Sequence, residues 1–208
     1  MSKASDSILI QATATADQAQ SVASSDAWLT ELAKLTGLGD LRSRLAWSAA
    51  QQELYLYLNL PSPGPVDGHH LKATEAWFKR SFPAMSKVRA SRLTKVFDIP
   101  GASSEAGPVF HYIVETDPET GWAEEIARWY DIEHMPGLAS VTGCVRAMRF
   151  INHDQGPVSC ACYDLVSVDT LGSEPWLAVR HSDWSSRVRP HFTNTKRTMF
   201  ELLPRRID

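Results

Sequence analysis

The sequence predicts an α+β protein made of two successive β-α-β-β-α-β units, residues 1–103 and 104–208. Two observations carry this reading. Short matches recur in the same order about a hundred residues apart: Glu75-Ala76-Trp77 with Glu174-Pro175-Trp176, Val88-Arg89 with Val188-Arg189, Thr36-Gly37 with Thr142-Gly143, and Phe97 with Phe200. Each match alone is slight, but a shared order at one nearly constant offset is the mark of internal repetition. The second observation is hydropathy patterning, which changes between a period of two and a helical period in the same order in each half.

In the first half, Ile8–Thr15 is apolar and β-branched, with Ile8, Ile10, Ala12 and Ala14 on one face. Trp28, Leu29, Leu32 and Leu35 follow at helical spacing, closed by Gly37 and Gly39. Leu41–Trp47 alternates. Leu54–Leu60 is the clearest strand, with Leu54, Leu56, Leu58 and Leu60 opposite Tyr55, Tyr57 and Asn59. The prolines and glycines of 61–70 predict a loop, with His69 and His70 solvated in it. A helix carrying Phe78, Phe82 and Met85 and a strand Arg92–Ile99 complete the unit.

Pro100–Pro108, rich in Gly, Ala and Ser, reads as a linker. The second half then repeats the pattern. Val109–Thr116 is a strand and Gly121–His134 a helix with Trp122, Ile126, Trp129 and Tyr130 along it. Val145–Ile151 and Val158–Val166 are strands around a turn at 152–157. Glu174–Val188 is one helix and Arg197–Leu203 the last strand. Such a unit is the split βαβ, ferredoxin-like motif, whose two helices cover one sheet face. Pairing the two bare faces within one chain would bury both.

Composition limits the function. The chain has 208 residues, 43% hydrophobic and 22% charged, with a formal net charge of -3. That balance supports a packed core and offers no basic field for nucleic acid or an anionic membrane. Arg205-Arg206 is too short a basic tail to change this. No apolar run is long enough to span a bilayer, and the N-terminal residues do not form a secretory signal. Three cysteines make no disulfide framework, so a reducing cytoplasm is expected. No phosphate loop, nucleophile elbow or zinc helix is present, and no motif calls for a cofactor or a metal. Cys160 and Cys162, two apart on a strand, read as small buried residues.

His134 is the candidate for chemistry. Ile126, Tyr130 and His134 are four apart, so a helix places them on the face that packs on the sheet. An imidazole there can exchange a proton with a bound phenol or enol, or can equally complement the end of its helix. Leu177, His181, Trp184 and Val188 fall along a second stripe, so His181 could share one pocket with His134. Trp122, Trp129, Tyr130, Trp176 and Trp184 lie on the same two helices and could wall a flat ligand, or simply be core. His111 alternates with Phe110 and Tyr112, and alternation alone leaves open which face meets the helices.

Residues 128–150 hold Trp129, Tyr130, His134, Pro136 and Gly143 in the order that resembles the dimeric α/β-barrel superfamily, and within it the EthD-like group. There a first helix ends in an aromatic residue and a His-x-Pro, and a later glycine opens the second strand. Tyr163-Asp164, Asp183-Trp184 and Arg187 are also similar to that group. The resemblance covers about residues 108–204. The first half shares the element order but has Trp28 where His134 would sit. The superfamily includes cofactor-free monooxygenases, polyketide cyclases, muconolactone-type isomerases and haem-degrading enzymes. The resemblance therefore implies a small-molecule enzyme of lyase, isomerase, cyclase or oxygenase type acting on an aromatic or polyketide-like ligand. It gives His134 the acid/base role. Tyr130 and His181 would bind substrate oxygens, Trp129, Trp176 and Trp184 would hold the ring, and His111 is a further candidate binding residue. A non-catalytic binding protein and a haem-binding member are the other readings, and a homodimer is compatible with all three.

Overall fold

The computed structural model describes residues 4–24 and 27–203; Arg205-Arg206 lies outside them. The chain falls into two compact units. One takes the residues up to Thr94 and again from Phe200, and the other is Lys95–Met199. Among the described residues no helix is long and apolar enough to cross a membrane.

The first unit runs β1 (Ala4–Thr13), α1 (Ala16–Ala23), α2 (Ala27–Thr36), β2 (Arg42–Ser48), β3 (Glu53–Pro65), α3 (Gly68–Ser81) and β4, which starts at Ser86 and ends at Pro100. Its strands lie in the order β4-β1-β3-β2, with β1 antiparallel to both β3 and β4. Ile8, Ile10 and Ala12 of β1 and Leu54, Leu56 and Leu58 of β3 pack with Leu32, Trp77 and Phe78 of the helices. These are the apolar faces that alternation predicts.

Three local features differ from the sequence expectation. Helix α1 was not expected. It starts at a capping box in which Gln18 N–H donates to Thr15 Oγ1 and Thr15 N–H donates to Gln18 Oε1. Strand β3 continues through Pro61, Pro63 and Pro65 instead of ending at Leu60. The prolines alternate, so their missing N–H groups fall on one edge, and β2 pairs with β3 only as far as Asn59. His69 and His70 are in the first turn of α3, where Asp67 Oδ1 accepts both their N–H groups. That helix buries Leu71, Thr74, Trp77 and Phe78, and Phe82 only caps it.

The second unit runs β5 (Phe110–Pro118), α4 (Ala123–Trp129), a π-helical turn (Tyr130–His134), α5 (Met135–Ala139), β6 (Cys144–Asn152) and β7 (Ser159–Leu165). After a 3₁₀ turn at Val168–Gly172 come α6 (Glu174–Arg180), α7 (Asp183–Val188), a 3₁₀ turn (Arg189–His191) and β8 (Phe192–Leu203). Its strand order is β8-β5-β7-β6, with β7 antiparallel to β5 and β6. Counted from each unit's own first strand, both orders read fourth, first, third, second. The predicted linker is tied down: Gly101 N–H donates to Val145 O at 2.8 Å and Ser103 N–H to Cys144 O at 2.9 Å.

Glu174–Val188 is two helices rather than one. Ser182 Oγ accepts Ser185 N–H at 3.0 Å and so caps a new helix, and His181 is left at the C-terminal end of α6. Gly143 opens β6 with φ +98°, and a Cβ there would stand 2.3 Å from Thr170 Oγ1. Only glycine meets both conditions without strain. All three cysteines are free thiols and buried.

Candidate functional site

The helix-facing side of the second unit's sheet carries Tyr112, Ala161 and Tyr163 against Trp129, Tyr130, Leu138 and Trp176. Alternation then puts His111, Ile113 and Glu115 on the opposite face. His111 is buried there and bonds Asp164 Oδ1 through Nδ1 at 2.8 Å.

His134 is 8% exposed and reaches its place through the π-helical turn. Met135 N–H bonds Tyr130 O, five residues back, in place of the α-helical four. The widened turn seats the imidazole over residue 129. The Trp129 and His134 rings are 4.1 Å apart at 22°, while Tyr130 meets His134 edge-on at 5.8 Å. The sequence spacing assumed an unbroken α-helix, and such turns concentrate at functional sites. Trp129 is itself fixed, its indole N–H donating to Ser185 Oγ at 3.2 Å.

A small cavity opens beside these rings. Tyr112, Val114, Tyr163, Trp176 and Phe192 form its walls with Trp129, Tyr130, His134 and Leu138, and Arg180, Arg189 and Arg197 complete the lining. The centre of a water molecule has about 30 Å³ in which to move. That is room for one or two waters or a single polar substituent.

His134 Nδ1 is buried without a hydrogen-bond partner among the described residues. Such a group is costly to leave unmade and is commonly satisfied by water or ligand. Burial, followed by the charges of Arg189 and Arg180, holds the His134 pKa down to about 3. The imidazole is therefore neutral at neutral pH and offers one ring nitrogen as an acceptor. Burial raises the pKa of Tyr112, Tyr130 and Tyr163, so all three are phenols there. Tyr163 O–H donates to Met135 Sδ at 3.0 Å. Arg149 lies 5.5 Å over the Tyr130 ring and donates to Asp131 Oδ1 at 2.8 Å, which braces Tyr130 from behind.

The structure thus brings together His134, Tyr130, Trp129 and Trp176, and leaves out three other sequence candidates. His181 is exposed and absent from the lining, because the helix breaks at Ser182 and the expected stripe does not exist. Trp184, on the new helix, donates its indole N–H to Glu125 Oε1 at 2.9 Å outside the cavity. His111 is on the far face of β5. Sequence reasoning named Tyr163 only within the resemblance, gave Tyr112 no site role, and missed the three arginines. Arg180 was legible, four residues after Trp176 on one helical face. Arg189 and Arg197 come from other elements and had no local signal. Among the described residues, no group of three or more His, Cys, Asp and Glu could hold a metal ion.

No protein-family model matches the chain, and no curated protein matches it. Solved structures match over nearly its whole length. An anthrone oxidase-like protein is 12% identical, with 97% of this chain and 93% of that chain covered and a TM-score of 0.60. A protein from Fusobacterium nucleatum, provisionally assigned as a monooxygenase, is 10% identical over 98% and 94%, with a TM-score of 0.61. A haem-binding protein from Thermus thermophilus is 11% identical over 96% and 91%, with a TM-score of 0.52. At such identities the likeness is one of fold alone.

Proposed function

We propose that the chain is a cofactor-independent enzyme acting on a small aromatic or polyketide-like metabolite, in which His134 takes up and returns a proton. The observation that carries this is a neutral, buried imidazole that lines the cavity and whose Nδ1 has no hydrogen-bond partner among the described residues. Tyr130 and Tyr112 supply phenolic groups for substrate oxygens, and Trp129 holds the imidazole plane. The cavity takes one polar substituent, so the ring of the metabolite stays at the mouth among Phe192 and the arginines. Removing a proton from a phenol or enol can open lyase, isomerase, cyclase or cofactor-free oxygenase chemistry.

The anthrone oxidase-like and monooxygenase neighbours share this fold and agree with the reading, though fold alone does not name chemistry. Membership of the EthD-like group rests on Trp129, Tyr130, His134, Pro136 and Gly143. Duplication of one ferredoxin-like module, with repeats at 1–103 and 104–208, is supported by the shared strand order of the two units.

A haem does not fit this cavity. A macrocycle needs a pocket on the order of several hundred Å³, against about 30 Å³ here, and Trp129 covers one face of the imidazole.

NMR observation of the histidine ring during titration with phenol and 1-naphthol tests the proposal. The His134 signals should move with both ligands, and His134→Ala should bind them while losing turnover of any substrate found. A ring that ignores every phenol makes His134 structural. Ligand binding with full turnover in His134→Ala leaves a binding site whose histidine does no chemistry.

A further inference from the structure

The cavity's three arginines are a feature that proton transfer by His134 does not require. They come from different elements: Arg180 from the end of α6, Arg189 from the turn after α7, and Arg197 from β8. None has a carboxylate partner among the described residues, and no Asp or Glu lines the cavity. Arg189 Nη1 donates to Arg180 O at 3.4 Å. Like charges gathered without a counter-ion repel one another, and the repulsion grows where solvent is partly excluded. Arg189 registers this: burial and then the charges of Arg180 and Arg197 lower its pKa.

Deepening the proposed function and resting on it, we propose that the substrate is an oxyanion-bearing molecule whose carboxylate or phosphate sits on Arg180, Arg189 and Arg197 while a polar substituent reaches His134. Guanidinium groups bind these anions through paired, charge-assisted hydrogen bonds. The second observation pointing to a ligand is His134, a nine-tenths buried side chain that lines the same cavity and whose Nδ1 has no partner among the described residues.

The arrangement also explains how so weak a base becomes useful. Arg189 and Arg180 oppose protonation of His134 in the free protein. An anion seated on them cancels that field and raises the proton affinity of the imidazole. The site is thereby set to accept a proton only when a charged substrate is present. A neutral ligand of the same shape leaves the field in place.

The experiment uses the full chain at low salt with benzoate, phenyl phosphate and neutral benzamide, followed by the His134 ring signals. Either anion should bind at least about tenfold more tightly than benzamide and should raise the pH at which His134 titrates. Arg180→Gln, Arg189→Gln and Arg197→Gln should each weaken the anion about tenfold, the worth of one charge-assisted contact. Arg197 is exposed, so its variant tests the idea even if the others fold poorly. Preference for phenyl phosphate over benzoate identifies phosphate as the source of the anion, and the reverse identifies carboxylate. Equal binding of benzamide and the anions, or unchanged affinity in Arg197→Gln, overturns the oxyanion site while leaving His134 as a ligand-facing base. A His134 ring that responds to none of the three probes and to no phenol overturns both readings.

Discussion

Replacing His134 by glutamine should flatten the dependence of stability on pH. The folded protein holds this imidazole near a pKa of about 3, against an ordinary value of 6.5, through burial first and then Arg189 and Arg180. The unfolded chain takes a proton near 6.5 and the folded chain only near 3. The contribution is therefore present in full above pH 6.5 and is lost as the pH falls from there toward 3. At about 1.4 kcal/mol per tenfold difference in proton affinity, the whole window is worth roughly 4–5 kcal/mol. Between pH 7.5 and 4.5 roughly 2–3 kcal/mol of it should disappear.

Urea unfolding of both proteins at those two pH values isolates this quantity. Carboxylates contribute to both proteins alike: Arg146 and Lys95 hold Asp98 below its usual range despite burial, and Arg187 and Trp184 do the same for Glu125. The difference of differences therefore belongs to His134, provided the urea slopes agree. The wild type should lose roughly 2–3 kcal/mol more than His134→Gln on acidification. Equal losses in the two proteins would mean that His134 is already solvated or partnered in the fold, and the reasoning about a neutral buried base fails. The buffers should be free of carboxylates and phosphate, since those are the proposed ligand groups.

Two further changes probe the elements that position the site. Gly143→Ala adds a Cβ at φ +98° and 2.3 Å from Thr170 Oγ1. It should cost about 2–4 kcal/mol in thermal or urea unfolding, and adding Thr170→Ala should return only the part due to the clash. A neutral Gly143→Ala would show that the strand opening tolerates another backbone conformation. Ser182→Ala removes the cap of α7 and the hydroxyl that donates to Glu133 Oε1. A loss of about 1–2 kcal/mol is expected, together with weaker amide-exchange protection at Ser185; unchanged protection there would place the start of the helix under other control.

Much of the framework was readable from local pattern. Strand alternation picked out the faces of Ile8, Ile10, Leu54 and Leu56, and these do pack on helices. The sequence made Trp129, Tyr130 and His134 candidate residues, and all three side chains line one cavity. Where the reading failed, local rules gave way to specific hydrogen bonds. Ser182 broke a stripe that hydropathy drew straight through, which carried His181 and Trp184 away. A five-residue turn replaced the four-residue spacing assumed for Tyr130 and His134. Alternation in β5 named two faces without saying which one met the helices, so His111 and Tyr112 could not be told apart.

By itself the sequence determined the order of the strands, their apolar faces and the aromatic segment around His134, because those depend on neighbours within a turn or a strand. Only the tertiary structure decided that Arg180, Arg189 and Arg197 share one cavity with that histidine. Charge convergence depends on contacts between distant elements. It leaves no periodic trace in the chain, and the partial exclusion of solvent that strengthens the field at Arg189 exists only once the fold has formed.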